Sequence, residues 1–340
     1  MIRVSILGAT GYSGGELIEL LLKHPAVSLK HFTSESSAGK PVHSVHGSLR
    51  GRVTSNFIKA DLKKIAADSD VVFSCYPAAA GIKLNAELVA KKVKVIDLSA
   101  DFRLPTAALY KTWYKEKHTA PGLLSKAVYG LPELFREDIR RATLIANPGC
   151  YATAAILSAA PLFKPLAVDA SSIIIDAKSG TSGAGKKLSA DYLYCEVNEN
   201  FRAYNVARHR HQPEIETVLQ SFSRVPALVT FTPHLVPMQR GILSVLYATL
   251  KKSTSTQALL ALFQRFYERE PFVRILPEGE LPQTKNVAHT NYCDIGITQD
   301  SRMRRVIVVA ALDNLVKGAS GQALQNMNLC FQRPETEGLL

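Results

Sequence analysis

Short apolar runs alternate with longer stretches of helical periodicity through the first 149 residues of the chain. The apolar runs cover residues 3–7, 27–32, 71–75, 93–98 and 144–146. Runs of this length, bounded by polar residues and glycine, are typical of buried strands. Their alternation with helices predicts a parallel sheet with helices on both faces.

After residue 150 the pattern changes to longer runs that are rich in β-branched residues. They cover residues 172–178, 227–232, 242–250, 293–298 and 304–312. Two clear helical stretches interrupt them, one after Pro213 and one at about 254–267. The pattern predicts a second, α+β domain with a mostly antiparallel sheet, so the fold class is α/β plus α+β. Residues 321–331 predict a terminal helix.

Composition excludes several classes of protein. Hydrophobic residues make up 46% of the 340 residues and charged residues 21%, as in ordinary globular proteins. No apolar run approaches the ~20 residues of a membrane helix, and the chain opens directly into a strand. We therefore expect neither a membrane partner nor a targeting segment. The five scattered cysteines include no C-x-x-C pair, which argues against disulfides and structural zinc and favours the cytoplasm.

The formal net charge of the chain is +12. Its basic residues are spread along the sequence, without the aromatic-interleaved stripe of RNA-binding proteins. We expect the charge to attract small anionic substrates and expect no nucleic-acid partner.

A glycine-rich turn joins the first strand to the first helix, with the spacing G-x-x-G-x-x-G. Such glycines let a pyrophosphate approach the helix N-terminus closely, which predicts a Rossmann-type dinucleotide-binding domain. The alternative is a turn that serves packing alone. The candidate cofactor-binding residues are Gly8, Thr10, Gly11, Tyr12, Ser13 and Gly14.

Cys150 lies where a short strand breaks at Asn147-Pro148-Gly149 and a helix begins. The free N–H groups at a helix N-terminus favour a thiolate, so this turn suits a catalytic nucleophile. The alternative is a small buried residue, which most free cysteines are.

His209 and His211 precede a helix that begins near Pro213, and two residues apart in extended chain they point the same way. Either histidine can exchange protons with a thiol, and Glu214 can orient the ring. The alternatives are a zinc site, for which no third ligand has an evident spacing, and a solvated basic loop. We therefore predict no metal.

Two further segments suit anion binding. Residues 179–187 nearly match a P-loop, but Lys187 occupies the Ser/Thr position, so we interpret them as a small-residue loop that approaches a ligand. Arg103 follows a strand at the sheet's carboxyl edge and can hold a phosphate or carboxylate. A structural salt bridge with Asp101 is the alternative.

These segments together resemble the N-acetyl-gamma-glutamyl-phosphate reductase family, which is related to the aspartate-semialdehyde dehydrogenases. The resemblance spans nearly the whole chain. It rests on GATGYSGGEL at 8–17, LSADFRL at 98–104, YGLPE at 129–133, NPGCYAT at 147–153, SGTSGAGK at 179–186, HRHQPEI at 209–215, PHLVPMQRGIL at 233–243 and DNLVKGASGQA at 313–323.

The resemblance implies reduction of an acyl phosphate to an aldehyde in arginine biosynthesis, with NADPH and release of phosphate. It implies that Cys150 is the nucleophile and favours His209 as the acid–base residue. Arg103 matches a phosphate-binding arginine, and Ser182, Gly183 and Asn314 match positions near the nicotinamide. The terminal helix returns to the first domain, giving domains of 1–149 with 315–340 and of 150–314. We also expect Asn147 and Arg208 to bind substrate, and a homo-oligomer, either a dimer or a tetramer.

One departure from the family pattern concerns the cofactor. Glu35 stands where arginine is frequent, and an acid there normally binds the ribose 2′-hydroxyl of NAD. Ser34, Ser37 and their polar neighbours can still hold a 2′-phosphate, so we expect NADP rather than NAD. The rival functions are the same reaction on carrier-bound aminoadipyl phosphate in lysine biosynthesis and a catalytically silent nucleotide sensor.

Overall fold

The structure is a computed structural model that describes residues 1–221, 223 and 225–340. It divides into two compact units. The first unit comprises Met1–Pro148 and Ala319–Leu340, and the second comprises Gly149–Gly318.

The first unit contains six strands and six helices among its described residues. In chain order they are β1 (Ile2–Leu7), α1 (Tyr12–Lys23), β2 (Val27–Phe32), α2 (Leu62–Asp68), β3 (Val71–Ser74), α3 (Ile82–Ala90), β4 (Lys94–Asp97), α4 (Ala107–Tyr114), β5 (Val128–Tyr129), α5 (Pro132–Arg141), β6 (Leu144–Ala146) and, from the end of the chain, the terminal helix (Gly321–Cys330).

All strand pairs of this sheet are parallel, in the order β2-β1-β3-β4-β6-β5. Val4 pairs with Leu29 on one side and with Val71 on the other, and their side chains are fully or largely buried in the sheet. A helix connects each strand to the next, as parallel pairing requires. The predicted parallel sheet is confirmed, and the unit has a Rossmann-like fold.

The terminal helix packs against α1 and α5 of the first unit, and all ten of its residues are buried. Asn326 Nδ2 in this helix donates to the carbonyl of Gly130 at 2.8 Å and to Asn147 Oδ1 at 3.0 Å. The last residues of the chain are therefore part of the core of the first unit.

The second unit is built on a seven-stranded sheet. Its elements are α6 (Cys150–Phe163), β7 (Ile173–Gly180), α7 (Tyr194–Val197), β8 (Arg202–Ala203), α8 (Gln212–Gln220), β9 (Val229–Val236), β10 (Ile242–Thr249), α9 (Thr256–Phe266), β11 (Val273–Ile275), α10 (Thr284–Val287), β12 (Cys293–Asp300) and β13 (Arg305–Leu312). The terminal helix, Gly321–Cys330, belongs to the first unit and is called α11 because it comes last in the chain.

The strand order of this sheet is β11-β12-β13-β10-β7-β9-β8. Four neighbouring pairs are antiparallel, whereas β11–β12 and β7–β9 are parallel. The prediction of a mostly antiparallel sheet is therefore correct only in part, because the sheet is mixed. Helix α6 is apolar all round, and every residue after Cys150 is buried, since the helix packs on β10, β13 and α8.

Candidate active site

The glycine-rich turn after β1 needs glycine for two different reasons. Gly8 has φ +65°, and a side chain there would approach the main chain of Cys75 to 3.1 Å. A side chain at Gly14 would come within 2.6 Å of the Ala9 carbonyl oxygen, so α1 can pack this closely only without it. The first contact holds the turn close to the end of β3, and the second holds it close to α1.

The N-terminus of α1 is suited to an anion. Gly11 caps the helix without a side-chain hydrogen bond, and the first turn contains no acidic residue. Among the described residues, no heavy atom beyond the adjoining residues lies within 4 Å of where a Gly11 Cβ would be, so the space beside this cap is open. Thr10 and Ser13 are partly exposed and Tyr12 is 43% exposed. The geometry fits a bound pyrophosphate.

The segment after β2 contains the residues predicted to surround the ribose. Ser34 is buried, and its Oγ accepts the Ser37 N–H at 3.1 Å, so this hydroxyl stabilises the turn itself. Glu35 is exposed and Ser37 partly exposed. Within this segment, Glu35 and Ser37 are more accessible to a ligand than Ser34.

Cys150 is the first residue of α6, and Gly149 caps the helix. The Gly149 N–H donates to Glu214 Oε1 at 2.8 Å. Glu214 lies in the first turn of α8 and is only 1% exposed. The carboxylate therefore fixes the main chain immediately before the nucleophile.

His211 lies directly against this turn. A side chain at Gly149 would place its first carbon 2.3 Å from His211 Nε2, so the ring occupies the space in front of the Gly149 Cα. Glycine is required here because the imidazole and the main chain before Cys150 are in contact. The ring is therefore in contact with the residue that precedes the nucleophile in the chain.

His209 has a different environment. Its ring packs against Tyr151, Tyr204 and Phe231, with ring centroids 5.3–5.6 Å apart. Its Nδ1 accepts the His211 N–H at 3.2 Å, and its Nε2 lies 3.4 Å from the Tyr204 hydroxyl. Burial, with His211 nearby, lowers the pKa of His209 to about 2. His209 is therefore a neutral ring held within an aromatic cluster.

The predicted substrate residues have unequal surroundings. Arg103 donates from Nε to the Asn147 carbonyl at 2.8 Å and from Nη2 to the Leu98 carbonyl at 2.9 Å, at the ends of β6 and β4. Asn147 is buried, and its amide bonds to Ala319 and Asn326, so it maintains the fold of the first unit. Arg208 is exposed.

Ser182, Gly183 and Asn314 come together in the second unit. Asn314 Nδ2 donates to Ser182 Oγ at 2.9 Å, and its Oδ1 accepts the Gly241 N–H at 2.8 Å. A side chain at Gly183 would approach Ser179 Oγ to 2.7 Å. The resemblance therefore grouped residues that are far apart in sequence but adjacent in the fold.

Sequence reasoning missed two parts of the site. The first is a pair of tyrosines, Tyr151 and Tyr204, whose rings pack against His209. The second is Gly318, which lies so close to the nucleophile that a side chain there would come within 2.8 Å of Cys150 Cβ. The glycine in the motif DNLVKGASGQA was the available signal for the second contact.

A cleft of about 810 Å³ lies elsewhere in the first unit, at the amino ends of β5 and β6. It is lined by Lys126, Tyr129 and Arg141 among others, and contains none of the predicted site residues. Within the described part of the chain, no three His, Cys, Asp or Glu residues are grouped to hold a metal. No helix formed by those residues is long and apolar enough to cross a membrane.

Comparison with known proteins identifies two family models. Residues 3–142 match the semialdehyde dehydrogenase NAD-binding domain, and residues 150–314 match the semialdehyde dehydrogenase dimerisation domain.

Curated relatives match over the full length. An N-acetyl-gamma-glutamyl-phosphate reductase from Citrifermentans bemidjiense is 54% identical over 340 residues, covering 100% of this chain and 98% of that protein. Proteins of the same name from Symbiobacterium thermophilum and Desulforamulus reducens are 52% and 49% identical, covering 100% of this chain and 97% and 98% of their own lengths.

Two solved structures share the fold at low sequence identity. Aspartate semialdehyde dehydrogenase II from Vibrio cholerae, complexed with ASA, aligns with a TM-score of 0.73 and 17% identity over 98% of both chains. Aspartate semialdehyde dehydrogenase with NADP from Candida albicans aligns with a TM-score of 0.71 and 16% identity, over 97% of this chain and 98% of that one.

Proposed function

The chain belongs to the N-acetyl-gamma-glutamyl-phosphate reductase family of semialdehyde dehydrogenases, and from this premise we propose its reaction and the residues that perform it. The reaction is the reduction of N-acetyl-glutamyl 5-phosphate to N-acetyl-glutamate 5-semialdehyde, with release of phosphate, in arginine biosynthesis. The observation that carries the proposal is Cys150 at the start of α6 with His211 against the same turn. The lysine-pathway and nucleotide-sensor alternatives are not favoured, because the full-length relatives are named as reductases of the arginine pathway substrate.

His211 removes the proton from the Cys150 thiol, and Sγ then attacks the acyl carbon. The carbon–oxygen bond to phosphate breaks, phosphate leaves with the bonding electrons, and a thioester forms on Cys150. First-turn amides of α6 stabilise the negative oxygen, since they have no carbonyl partner within the helix. When the aldehyde leaves, the carbon–sulfur bond breaks and His211 returns the proton to sulfur.

His211 is preferred to His209 for a physical reason. His209 is bonded within the aromatic cluster and stays neutral, whereas the His211 ring contacts the main chain before Cys150. The preference departs from the family-based expectation, which favoured His209. Glu214, Arg208 and Arg103 remain proposed site residues, with Glu214 supporting the nucleophile turn and Arg103 binding phosphate.

The amides at the N-terminus of α1 would hold the pyrophosphate of a dinucleotide, and Ser182, Gly183 and Asn314 remain the residues proposed for the nicotinamide. The chemistry that the reduced nicotinamide supplies is a hydride to the thioester carbon. We propose NADP as the cofactor and NAD as the less favoured one.

Replacing Glu35 with arginine tests the cofactor proposal. We expect the ratio of kcat/KM for NADPH to that for NADH to rise about fivefold to tenfold, since each exposed charge near a phosphate is worth on the order of 1 kcal/mol before salt screening. Steady-state kinetics with both cofactors measures this ratio. Glu116→Arg, which reverses another exposed charge, should leave it unchanged. A preference for NADH in the unmodified protein contradicts the choice of NADP, and an unaltered ratio in Glu35→Arg contradicts contact with the ribose.

The second unit supports a homo-oligomer, which we propose is a dimer or a tetramer. Residues on β7, β9 and β10 alternate between buried and partly exposed positions, and α6 and α8 pack on the sheet. Ile174 on β7 is 42% exposed. A second copy of the chain would cover such apolar side chains.

The reverse reaction tests the function directly. The protein should reduce NADP in the presence of N-acetyl-glutamate semialdehyde only when inorganic phosphate is added. Carrier-bound aminoadipate semialdehyde, tested in parallel, should react far more slowly. Equal or faster turnover of the carrier-bound substrate would transfer the assignment to the lysine pathway, and no turnover of either substrate would overturn the reductase proposal.

A further inference from the structure

We propose that Asp313 is a positioning residue, which fixes both the main chain at Gly318, next to Cys150, and the loop that contains Ser182. The role in the reaction rests on the proposed function. Asp313 follows β13 directly and is 0% exposed. Its neighbour Asn314 matches a cofactor position of the family, whereas the carboxylate of Asp313 bonds to residues other than Cys150 and Ser182.

One carboxylate oxygen organises the segment that contacts the nucleophile. Asp313 Oδ1 accepts the N–H of Leu315 at 2.8 Å and of Val316 at 3.2 Å, and the Gly318 N–H donates to the Asp313 carbonyl at 2.9 Å. These bonds shape the single π-helical turn Val316–Ser320. Gly318 in this turn is the residue whose side chain would lie 2.8 Å from Cys150 Cβ. Asp313 thereby fixes the main chain at Gly318, which lies next to Cys150.

The other oxygen reaches a second segment. Asp313 Oδ2 lies 3.0 Å from Arg240 Nε and accepts the His289 N–H at 2.7 Å, and Arg240 Nη2 also donates to Oδ1 at 3.4 Å. Arg240 belongs to the connection between β9 and β10, whose carbonyls at Met238 and Gln239 accept the N–H groups of Thr181 and Ser182 at 2.9 and 3.2 Å. The carboxylate is thus linked through Arg240 to the loop proposed for the nicotinamide.

The charge of Asp313 is needed for both links. A buried carboxylate is costly unless charged or N–H groups replace its lost water, and here three amides and a guanidinium do so. An asparagine keeps the shape but presents an NH₂ group in place of one acceptor oxygen, which must then face an N–H or the guanidinium. We expect the turn at Gly318 and the connection at Arg240 to move together when this happens.

Asp313→Asn tests the proposal, with Asp294→Asn as the matched control. Asp294 is also buried in this sheet and pairs with Arg274 through two hydrogen bonds, but the bonds described for it lead to neither segment. Both variants should lose stability. Only Asp313→Asn should lower kcat, by about tenfold or more, and slow the alkylation of Cys150 by iodoacetamide, mapped by peptide mass. Cofactor affinity, measured by titration, should fall only in Asp313→Asn.

Alkylation needs no substrate, so it tests the positioning role even if the proposed reaction proves wrong. If Asp313→Asn and Asp294→Asn show equal kcat and equal Cys150 alkylation, Asp313 is only structural and the proposal fails. Should Asp313→Asn not fold, Gly318→Ala tests the same contact, because its methyl group would press on Cys150 Cβ. Wild-type alkylation and kcat in Gly318→Ala would overturn the proposal.

Discussion

Replacing Cys150 with serine is expected to lower kcat by about three orders of magnitude or more and to leave cofactor affinity almost unchanged. A serine hydroxyl is far harder to deprotonate than a thiol at neutral pH, and the amides of α6 cannot compensate for the difference. Single-turnover and steady-state kinetics measure the loss, and fluorescence titration with the cofactor measures the affinity.

The chain provides its own control for this experiment. Cys195 is an exposed free cysteine, and serine at that position should leave kcat within about twofold of the unmodified protein. Turnover of Cys150→Ser near the wild-type rate would exclude a covalent thioester, whatever the other residues do.

Replacing His211 with asparagine should lower kcat about a hundredfold or more, because the base beside the nucleophile is lost. His209→Asn should cost less than about tenfold, since His209 stabilises the aromatic cluster and does not exchange a proton. The two substitutions lie in the same loop, so steady-state kinetics of the two variants distinguishes the acid–base residue from the one that stabilises the aromatic cluster. A severe loss in His209→Asn with a mild one in His211→Asn would reverse the assignment.

His209 should also influence stability in a pH-dependent way. Its pKa in the folded protein is about 2, against 6.5 for the free side chain, so below pH 6.5 the unfolded state binds the proton that the folded state excludes. The free energy of unfolding therefore falls as the pH decreases from 6.5 toward 2, and His209→Asn should weaken this dependence. Urea titrations across that range measure it. An equally steep loss in the variant would mean that another group causes it.

Local patterns were enough to place the main elements of the site. The glycine turn and the turn before Cys150 depend on neighbouring residues, so both were predicted where the structure has them. The parallel pairing of β7 with β9 was missed, although α8 lies between the two strands in the chain as a crossover helix. The sequence after Pro213 predicts this helix, and a helix between two strands of one sheet is typical of a parallel pair.

The choice between the histidines could not be made from the sequence. His209 and His211 are two residues apart in the sequence, and the centroids of their rings are 4.7 Å apart in the fold. What distinguishes them is the aromatic surroundings of His209, formed by Tyr151, Tyr204 and Phe231 from distant parts of the chain. Asn147 is a similar case, because its partner Asn326 is 179 positions away.

The position of α11 has a consequence for biosynthesis. The first unit begins with residue 1 but is completed by residues 319–340, so its helix α11 is not available until the ribosome has made the whole second unit. During that interval the surfaces of α1 and α5 that α11 covers are open to water, chaperones or other nascent chains. We therefore expect this unit to complete its folding late in synthesis, and a truncation that removes α11 to uncover the surfaces of α1 and α5 near the beginning of the chain.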